Sequence, residues 1–371
     1  MTRRSFPLLR FGSRRVSASS LGFRMPAEWE SHRATWLVWP HNRADWEVKT
    51  AAVEWCYAEI VRHLTDGERV AIVVQNHRVE RRARRTLERC GVDLASVDIY
   101  RIPTNRSWIR DFGPLFVRRR SPAGQSQVAM TDWGFNGWAK YRAWQRDDAM
   151  PARIAGHLKM RRFEVQVKRS DGYKPMVLEG GSIDVDGQGS LLTTEECLLS
   201  PVQARNPDLS KEIIEQVLEA SLGICRVLWL QGGIAGDDTH GHVDGVARFV
   251  SAGTVAAAEE SNSTDPNYVV LGANAARLKQ METLQGKPLR VVPIPMPRPV
   301  YFDGQRLPAS YLNFYVGNRK VLVPTFNDKN DRVALGRFAA LFPTREVVGI
   351  YAGDLILGLG ALHCVTQQEP D

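Results

Sequence analysis

Apolar runs and amphipathic stretches alternate along this chain in one recurring order. "ERVAIVVQ" (68–75) is a short β-branched run, which predicts a buried strand. "HRVERRARRTLERC" (77–90) follows with Val79, Ala83 and Leu87 spaced four apart, which predicts a helix with one narrow apolar stripe. "SVDIYRIP" (96–103) predicts a second strand and "IRDFGPLFV" (109–117) a third. The order then returns. "GSLLTTEECLL" (189–199) reads as a strand, and "DLSKEIIEQVLEASLG" (208–223) as a helix with a capping residue and a closing glycine. "CRVLWLQGG" (225–233) and "GHVDGVARFV" (241–250) complete that copy. "GTVAAAEE" (253–260) opens another, continued by "NYVVLGANAARLKQM", "LRVVPIPMP" and "ASYLNFYV". "NRKVLVPTF" (318–326), "DRVALGRFAALFP" (331–343), "REVVGIY" (345–351) and "GALHCVTQQ" (360–368) form the last.

The unit is therefore strand–helix–strand–strand, and its final segment carries the chemically interesting residues. Asp111, Glu179, His242 and Cys364 follow one another at separations of 68, 63 and 122 positions. The last gap is close to twice the others, so a period of roughly 60–70 residues fits the chain about five times. Repeats of one mixed unit stack radially around an axis as blades do, with equivalent strands converging at one end. This predicts a pseudo-symmetric α/β propeller in which residues far apart in sequence share a pocket.

Composition narrows the class. At 371 residues, 43% hydrophobic and 24% charged, the chain can bury a sizeable core. No apolar run approaches the ~18 residues a membrane span requires. The net charge of +8 would suggest a nucleic-acid partner, but residues 1–24 hold six arginines and no acid. Most of the remaining excess lies in 77–89, read as a solvated helix face. No nucleic-acid or membrane partner is expected. Residues 1–24 are expected to be a poorly ordered basic extension, and 25–371 a single catalytic domain. "TRRSF" resembles a twin-arginine signal, yet no apolar stretch follows it, so a cytoplasmic protein is expected. The five cysteines, Cys56, Cys90, Cys197, Cys225 and Cys364, are odd in number, widely spaced and free of any CxxC. That pattern argues for a reducing compartment, with one thiol available as a nucleophile.

Two chemistries compete for "DDTHGHVDG" (237–245). His240, His242 and Asp244 are two apart, so on a strand all three would share a face, as a metal site or a cation-gripping acid/base site would want. "THGHVDG" resembles the Thr-His-x-His-x-Asp-His signature of the metallo-β-lactamase superfamily, which would make the chain a metallohydrolase. Against this, Gly245 stands where that signature's last histidine belongs. The alternative joins His242 and its neighbour Asp244 to Cys364, Asp111 and Glu179. An acidic pocket is poor for a thiolate, which starts from a pKa near ~8.5 and needs positive charge nearby. A cationic substrate removes the conflict. A planar guanidinium binds carboxylates bidentately, and its charge could lower the thiol pKa by ~1–3 units.

Seven stretches carry a resemblance: "MPAEWESHRATWLVWP", "WIRDFGPLFV", "DWGFNGWAKY", "LEGGSIDVDGQGSLLTTEECLLS", "GDDTHGHVDGVARF", "ASYLNFYVGN" and "LHCVTQQEP". Through them the chain is similar, over about residues 25–370, to the agmatine deiminase family, which includes the Porphyromonas-type peptidyl-arginine deiminases. The resemblance implies a five-bladed α/β propeller that hydrolyses a guanidino group without metal or organic cofactor. It implies Cys364 as the nucleophile, His242 as the proton carrier, Asp111 and Asp244 as the guanidinium clamp, and Glu179 as the partner of His242. Trp108 would wall the alkyl chain, and Asp238 falls where many members place a Glu that holds the distal ammonium. The expected reaction turns agmatine into N-carbamoylputrescine and ammonia, a route to putrescine and polyamines, and the family suggests a homo-oligomer. Departures include "GLGALHC", His240 for a frequent Asn, and Phe112 for a frequent Thr. They leave the distal end open, with peptidyl-arginine deimination as the rival. That rival would need a cation there, whereas Asp237 and Asp238 favour an amine. A non-enzymatic binding module would leave the Cys/His/carboxylate set unexplained.

Overall fold

The computed structural model describes residues 9–11, 16–121 and 123–371. Within them one small sheet recurs, built from a hairpin, a crossover helix and a parallel strand. Ala247–Ser251 pairs antiparallel with Thr254–Glu259, and helix Asn267–Lys279 then carries the chain to Arg290–Pro295, parallel to the second strand. Tyr315–Val316, Lys320–Thr325, helix Lys329–Leu341 and Glu346–Tyr351 repeat the order. So do Asp184–Val185, Ser190–Thr194, helix Lys211–Leu222 and Arg226–Leu230. Leu115–Arg120, Ser126–Asp132, helix Met150–Leu158 and Arg162–Arg169 form another. In the fifth, the late strand Gln367–Pro370 pairs antiparallel with the early strand His32–Val38, which joins Arg69–Val74 and Val97–Arg101 in parallel. Parallel neighbours need a long crossover, which is why a helix follows each second strand.

The expected unit is thus present but divided elsewhere. Its last strand does not close its own sheet; it opens the next one. Leu115–Arg120 pairs with Ser126–Asp132 and not with Val97–Arg101. Helix ends follow their side chains. Ser210 caps Lys211–Leu222 by accepting from the Ile213 amide, and Gly223 ends that helix at φ 70°. Helix His77–Arg89 buries only Ala83 and Leu87 and leaves Arg78, Arg81, Arg82, Arg85 and Arg89 exposed, as its charge pattern predicts. Strand Arg69–Val74, with a parallel neighbour on each side, is apolar and buried over Val70–Val74, whereas the outer parallel strands Arg290–Pro295 and Glu346–Tyr351 are largely part-exposed.

The expectation for residues 1–24 fails over the part that is described. Leu9–Phe11 adds a strand beside Arg162–Arg169, and Leu9, Ala18 and Phe23 are buried. Apolar side chains between the arginines anchor the segment to the sheet. The remainder, residues 1–8 and 12–15, lies outside the described residues. Among the described residues no helix is long and apolar enough to cross a membrane.

Candidate active site

Each of the five sheets delivers a side chain from the turn just before its first strand. Asp111 lies in the helical turn Ile109–Phe112, ahead of Leu115. Glu179 precedes the turn Gly180–Ser182, ahead of Asp184. His242 and Asp244 flank the start of Val243–Gly245, ahead of Ala247. Asn313 stands just before Tyr315, and Cys364 just before Gln367. The expectation of a strand is wrong at Asp111, His242, Asp244, Asn313 and Cys364. Short turns hold the side chains, and the strands begin two to five residues later.

Close approach at the centre depends on a glycine. A Cβ on Gly181 would sit 2.6 Å from His242 Nδ1, 2.8 Å from Asp111 Oδ1 and 3.1 Å from Asp244 Oδ2. Three reactive groups therefore converge where a side chain is missing. The Gly181 amide donates to Asp111 Oδ1 at 3.1 Å, and the Trp138 indole donates to Asp111 Oδ2 at 2.9 Å. Burial pushes the Asp111 carboxyl up to about 6, helped by Asp244 and Glu179 and opposed by His242.

The five residues expected to act together do lie together. His242 Nδ1 is 3.8 Å from Asp111 Oδ1, and its Nε2 is 3.9 Å from Glu179 Oε2. These are charge contacts, and neither ring nitrogen has a hydrogen-bond partner. Burial opposes a charged His242, yet Asp111, Cys197 and Glu179 outweigh it and hold the imidazole pKa well above its usual value. Burial would raise the Glu179 carboxyl, but Arg205, whose Nε donates to Oε1 at 3.0 Å, and His242 bring it down to about 2. Cys364 Sγ accepts from Asn313 Nδ2 at 3.1 Å and lies 3.5 Å from Asp244 Oδ2. Burial, with Asp244 and Asp111, pushes this thiol well above its ordinary range. Asp244 itself is held at about 2, burial being overcome chiefly by His363, whose Nδ1 lies 2.8 Å from Oδ2.

A cleft of about 90 Å³ opens above Cys364, lined by Asp111, Trp108, Trp138, Leu357, Leu359 and Asp238 among others. That is well below the ~300–1,000 Å³ of drug-sized sites and suits a slender molecule. Trp108 forms a wall, tilted against Trp46 with ring centroids 5.2 Å apart. At the outer end Asp238 is engaged, paired with Lys140 and accepting from the Tyr141 hydroxyl at 2.7 Å. Arg106 pairs with Asp45 on the same rim.

Two expectations about 237–245 need correction. The segment is a tight loop, so alternation does not put its side chains on one face. His240, at φ 60°, turns toward Ser200 and Glu196, away from His242. The three-ligand array of the metallohydrolase reading is therefore not assembled. Asp237 does not reach the cleft's outer end; its carboxylate accepts from the amides of Thr239, Gly241 and His242 and so shapes the loop. Among the described residues, the one grouping able to hold a metal is Glu179, Cys197 and His242, with ligand atoms within 4.8 Å of one another. Arg205 already engages Glu179 there, which disfavours a second cation. All five cysteines are free thiols.

Sequence reasoning missed Asn313, His363, Arg205 and Lys140. For Asn313 the signal was present: it lies 69 positions after Asp244, one period on, in the copy to which no residue had been assigned.

Comparison with known proteins places the chain. The profile of the Porphyromonas-type peptidyl-arginine deiminase family matches residues 24–370. A Listeria monocytogenes protein whose name places it with the agmatine deiminases is 34% identical, covering 95% of this chain and 98% of its own length. The structure of agmatine deiminase from Enterococcus faecalis superposes with a TM-score of 0.86 at 32% identity, over 98% of this chain and 99% of its own. A cysteine-to-serine variant of the C. jejuni agmatine deiminase with substrate bound gives 0.81 at 27% identity, over 94% and 96%.

Proposed function

The chain belongs to the Porphyromonas-type peptidyl-arginine deiminase family, and from that premise we propose that it hydrolyses agmatine to N-carbamoylputrescine and ammonia. The observation that carries this reading is the placement of a buried thiol among carboxylates, 3.5 Å from Asp244, where only a cationic ligand makes a thiolate tolerable.

In this reading the guanidinium enters between Asp111 and Asp244. Its charge lowers the thiol pKa, the thiol proton passes to solvent and is regained when the sulfur later departs, and the Cys364 thiolate attacks the guanidinium carbon. His242, charged beforehand, gives its proton to the departing nitrogen, and ammonia leaves as the carbon–nitrogen bond breaks. The product is a cationic S-alkylthiouronium. His242, now neutral, takes a proton from water, whose oxygen attacks the same carbon. The carbon–sulfur bond then breaks and the ureido product is released. Glu179 keeps His242 charged and oriented. Trp108 packs on the alkyl chain, and Asp238 receives the distal ammonium, sharing its charge with Lys140. No step here draws on a metal or organic cofactor.

The same proposal arranges the five sheets around a common axis as a five-bladed α/β propeller, supported by their shared strand order and convergent turns. It treats residues 25–371 as one catalytic unit. It places the protein in the cytoplasm, supported by five free thiols, and as a homo-oligomer, supported by family likeness alone.

One assay tests it. Ammonia and ureido product are measured from agmatine, free arginine and a C-terminal-arginine peptide, with and without a chelator. Turnover of agmatine, unaffected by chelator and reduced to background in Cys364→Ser, is expected. Turnover of the peptide but not agmatine would move the assignment to peptidyl-arginine deimination, for which Arg106 and Lys140 at the outer rim are the favourable feature.

A further inference from the structure

His363 precedes the nucleophile in sequence and lies in a buried chain of charges beneath it. Its Nδ1 is 2.8 Å from Asp244 Oδ2 and its Nε2 is 2.9 Å from Glu28 Oε2. Glu28 also meets Arg248 at 3.0 Å and Arg110 at 3.3 Å, and Arg248 Nε donates to Asp184 at 2.7 Å. All six side chains are buried. Carboxylate oxygens only accept, so an imidazole with one at hydrogen-bond distance from each nitrogen must donate from both. Charge balance points the same way. Three carboxylates and two guanidiniums are one positive charge short of neutral in a place where net charge is costly, and an imidazolium closes the gap.

We propose that His363 is a positioning residue: charged and clamped between Glu28 and Asp244, it keeps the Asp244 carboxylate ionised and turned so that it meets the substrate cation beside Cys364. This rests on the deiminase reading given above. His363 does not line the cleft; it acts through Asp244. The groups facing Asp244 are His363, Cys364, His242 and Arg248, with Asp111 nearby. Burial is the largest influence on Asp244 and would protonate it, and His363 is the first of the groups that oppose it.

The test is His363→Gln, which keeps one hydrogen-bond donor and removes the charge. With agmatine, kcat/KM is expected to fall by about tenfold or more, mostly through KM. The acid side of its pH profile should move upward, because burial, no longer opposed by a charged partner, then raises Asp244 past Asp111, which otherwise sets that limb at about 6. A folded variant whose acid side stays at the wild-type position, with any loss confined to kcat, would overturn the proposal and leave His363 a packing residue. Where His363→Gln does not fold, judged by circular dichroism, Glu28→Gln replaces it. The imidazole then loses one of its two carboxylate partners, so agmatine KM should rise several-fold with kcat little changed, and an unchanged KM overturns the proposal. Wild-type protein inert toward agmatine would sink the deiminase reading instead, so the two failures are distinguishable.

Discussion

The two ends of the cleft are built differently. At the inner end, Asp111, Glu179, His242, Asp244, Asn313 and Cys364 come from equivalent turns of five sheets, and all are buried. At the outer end, Asp45 in the helical turn Arg43–Trp46 pairs with Arg106, and Lys140 pairs with Asp238, the last three on connecting loops and Lys140 43% exposed. A rigid, repeated scaffold fixes the reacting groups. Loops between repeats, free to vary, meet whatever the substrate carries at its far end. Damage to the inner end should therefore cost catalysis, and damage to the outer end should change only preference.

Among changes that remove none of the groups proposed to react, the largest effect is expected from Gly181→Ala. Its Cβ would press on His242 Nδ1 and Asp111 Oδ1, both closer than 3 Å. Overpacking of this kind costs ~1–3 kcal/mol of stability. The displacement of the reacting groups should lower kcat/KM by about a hundredfold. Steady-state kinetics on the folded variant check this, and near-wild-type activity would show that the inner end tolerates adjustment.

An intermediate effect is expected from pH. Asp111 must be ionised to hold a cation, and burial places its pKa at about 6 in the free protein. Activity should thus be present above that value. As pH falls below it, kcat/KM should drop by about tenfold per unit. On the alkaline side activity persists past neutrality because His242 keeps its proton. A profile flat down to pH 5 would separate Asp111 from substrate binding.

The smallest effect belongs to the outer end. Lys140 competes with any distal ammonium for Asp238, but it is a half-exposed pair worth ~0–1 kcal/mol. Lys140→Met should lower the agmatine KM by no more than about fivefold and leave kcat unchanged. A fall in kcat would extend the rigid inner construction to the rim.

The same contrast explains what was legible in the sequence. The recurring helix and strand positions and the five residues proposed to react follow from a period and from unusual residue types at matching places in it. His363 and Arg205 carry no such mark. Their roles come from partners at Glu28, 335 positions away, and Glu179, 26 positions away. Only folding creates those pairs. Asp237 misled for the opposite reason. It is a conspicuous acid beside two histidines, yet its carboxylate is consumed by the backbone of its own loop. Lys140 lies within "DWGFNGWAKY", 98 positions from Asp238, and only the folded loops bring the two together. Within the described part of the amino end, residues 9–11 and 16–24, the buried side chains of Leu9, Ala18 and Phe23 anchor what composition alone marks as a loose extension.

In the proposed mechanism substrate charge, and not the protein, generates the thiolate. Ultraviolet thiolate absorbance, taken as the difference between wild type and Cys364→Ser, can be titrated with and without saturating guanidinium cation. No Cys364 thiolate is expected at neutral pH in the free protein, and an apparent pKa lowered by ~1–3 units once the cation is bound. A thiolate already formed at neutral pH without the cation, or a titration the cation leaves unmoved, would contradict that mechanism.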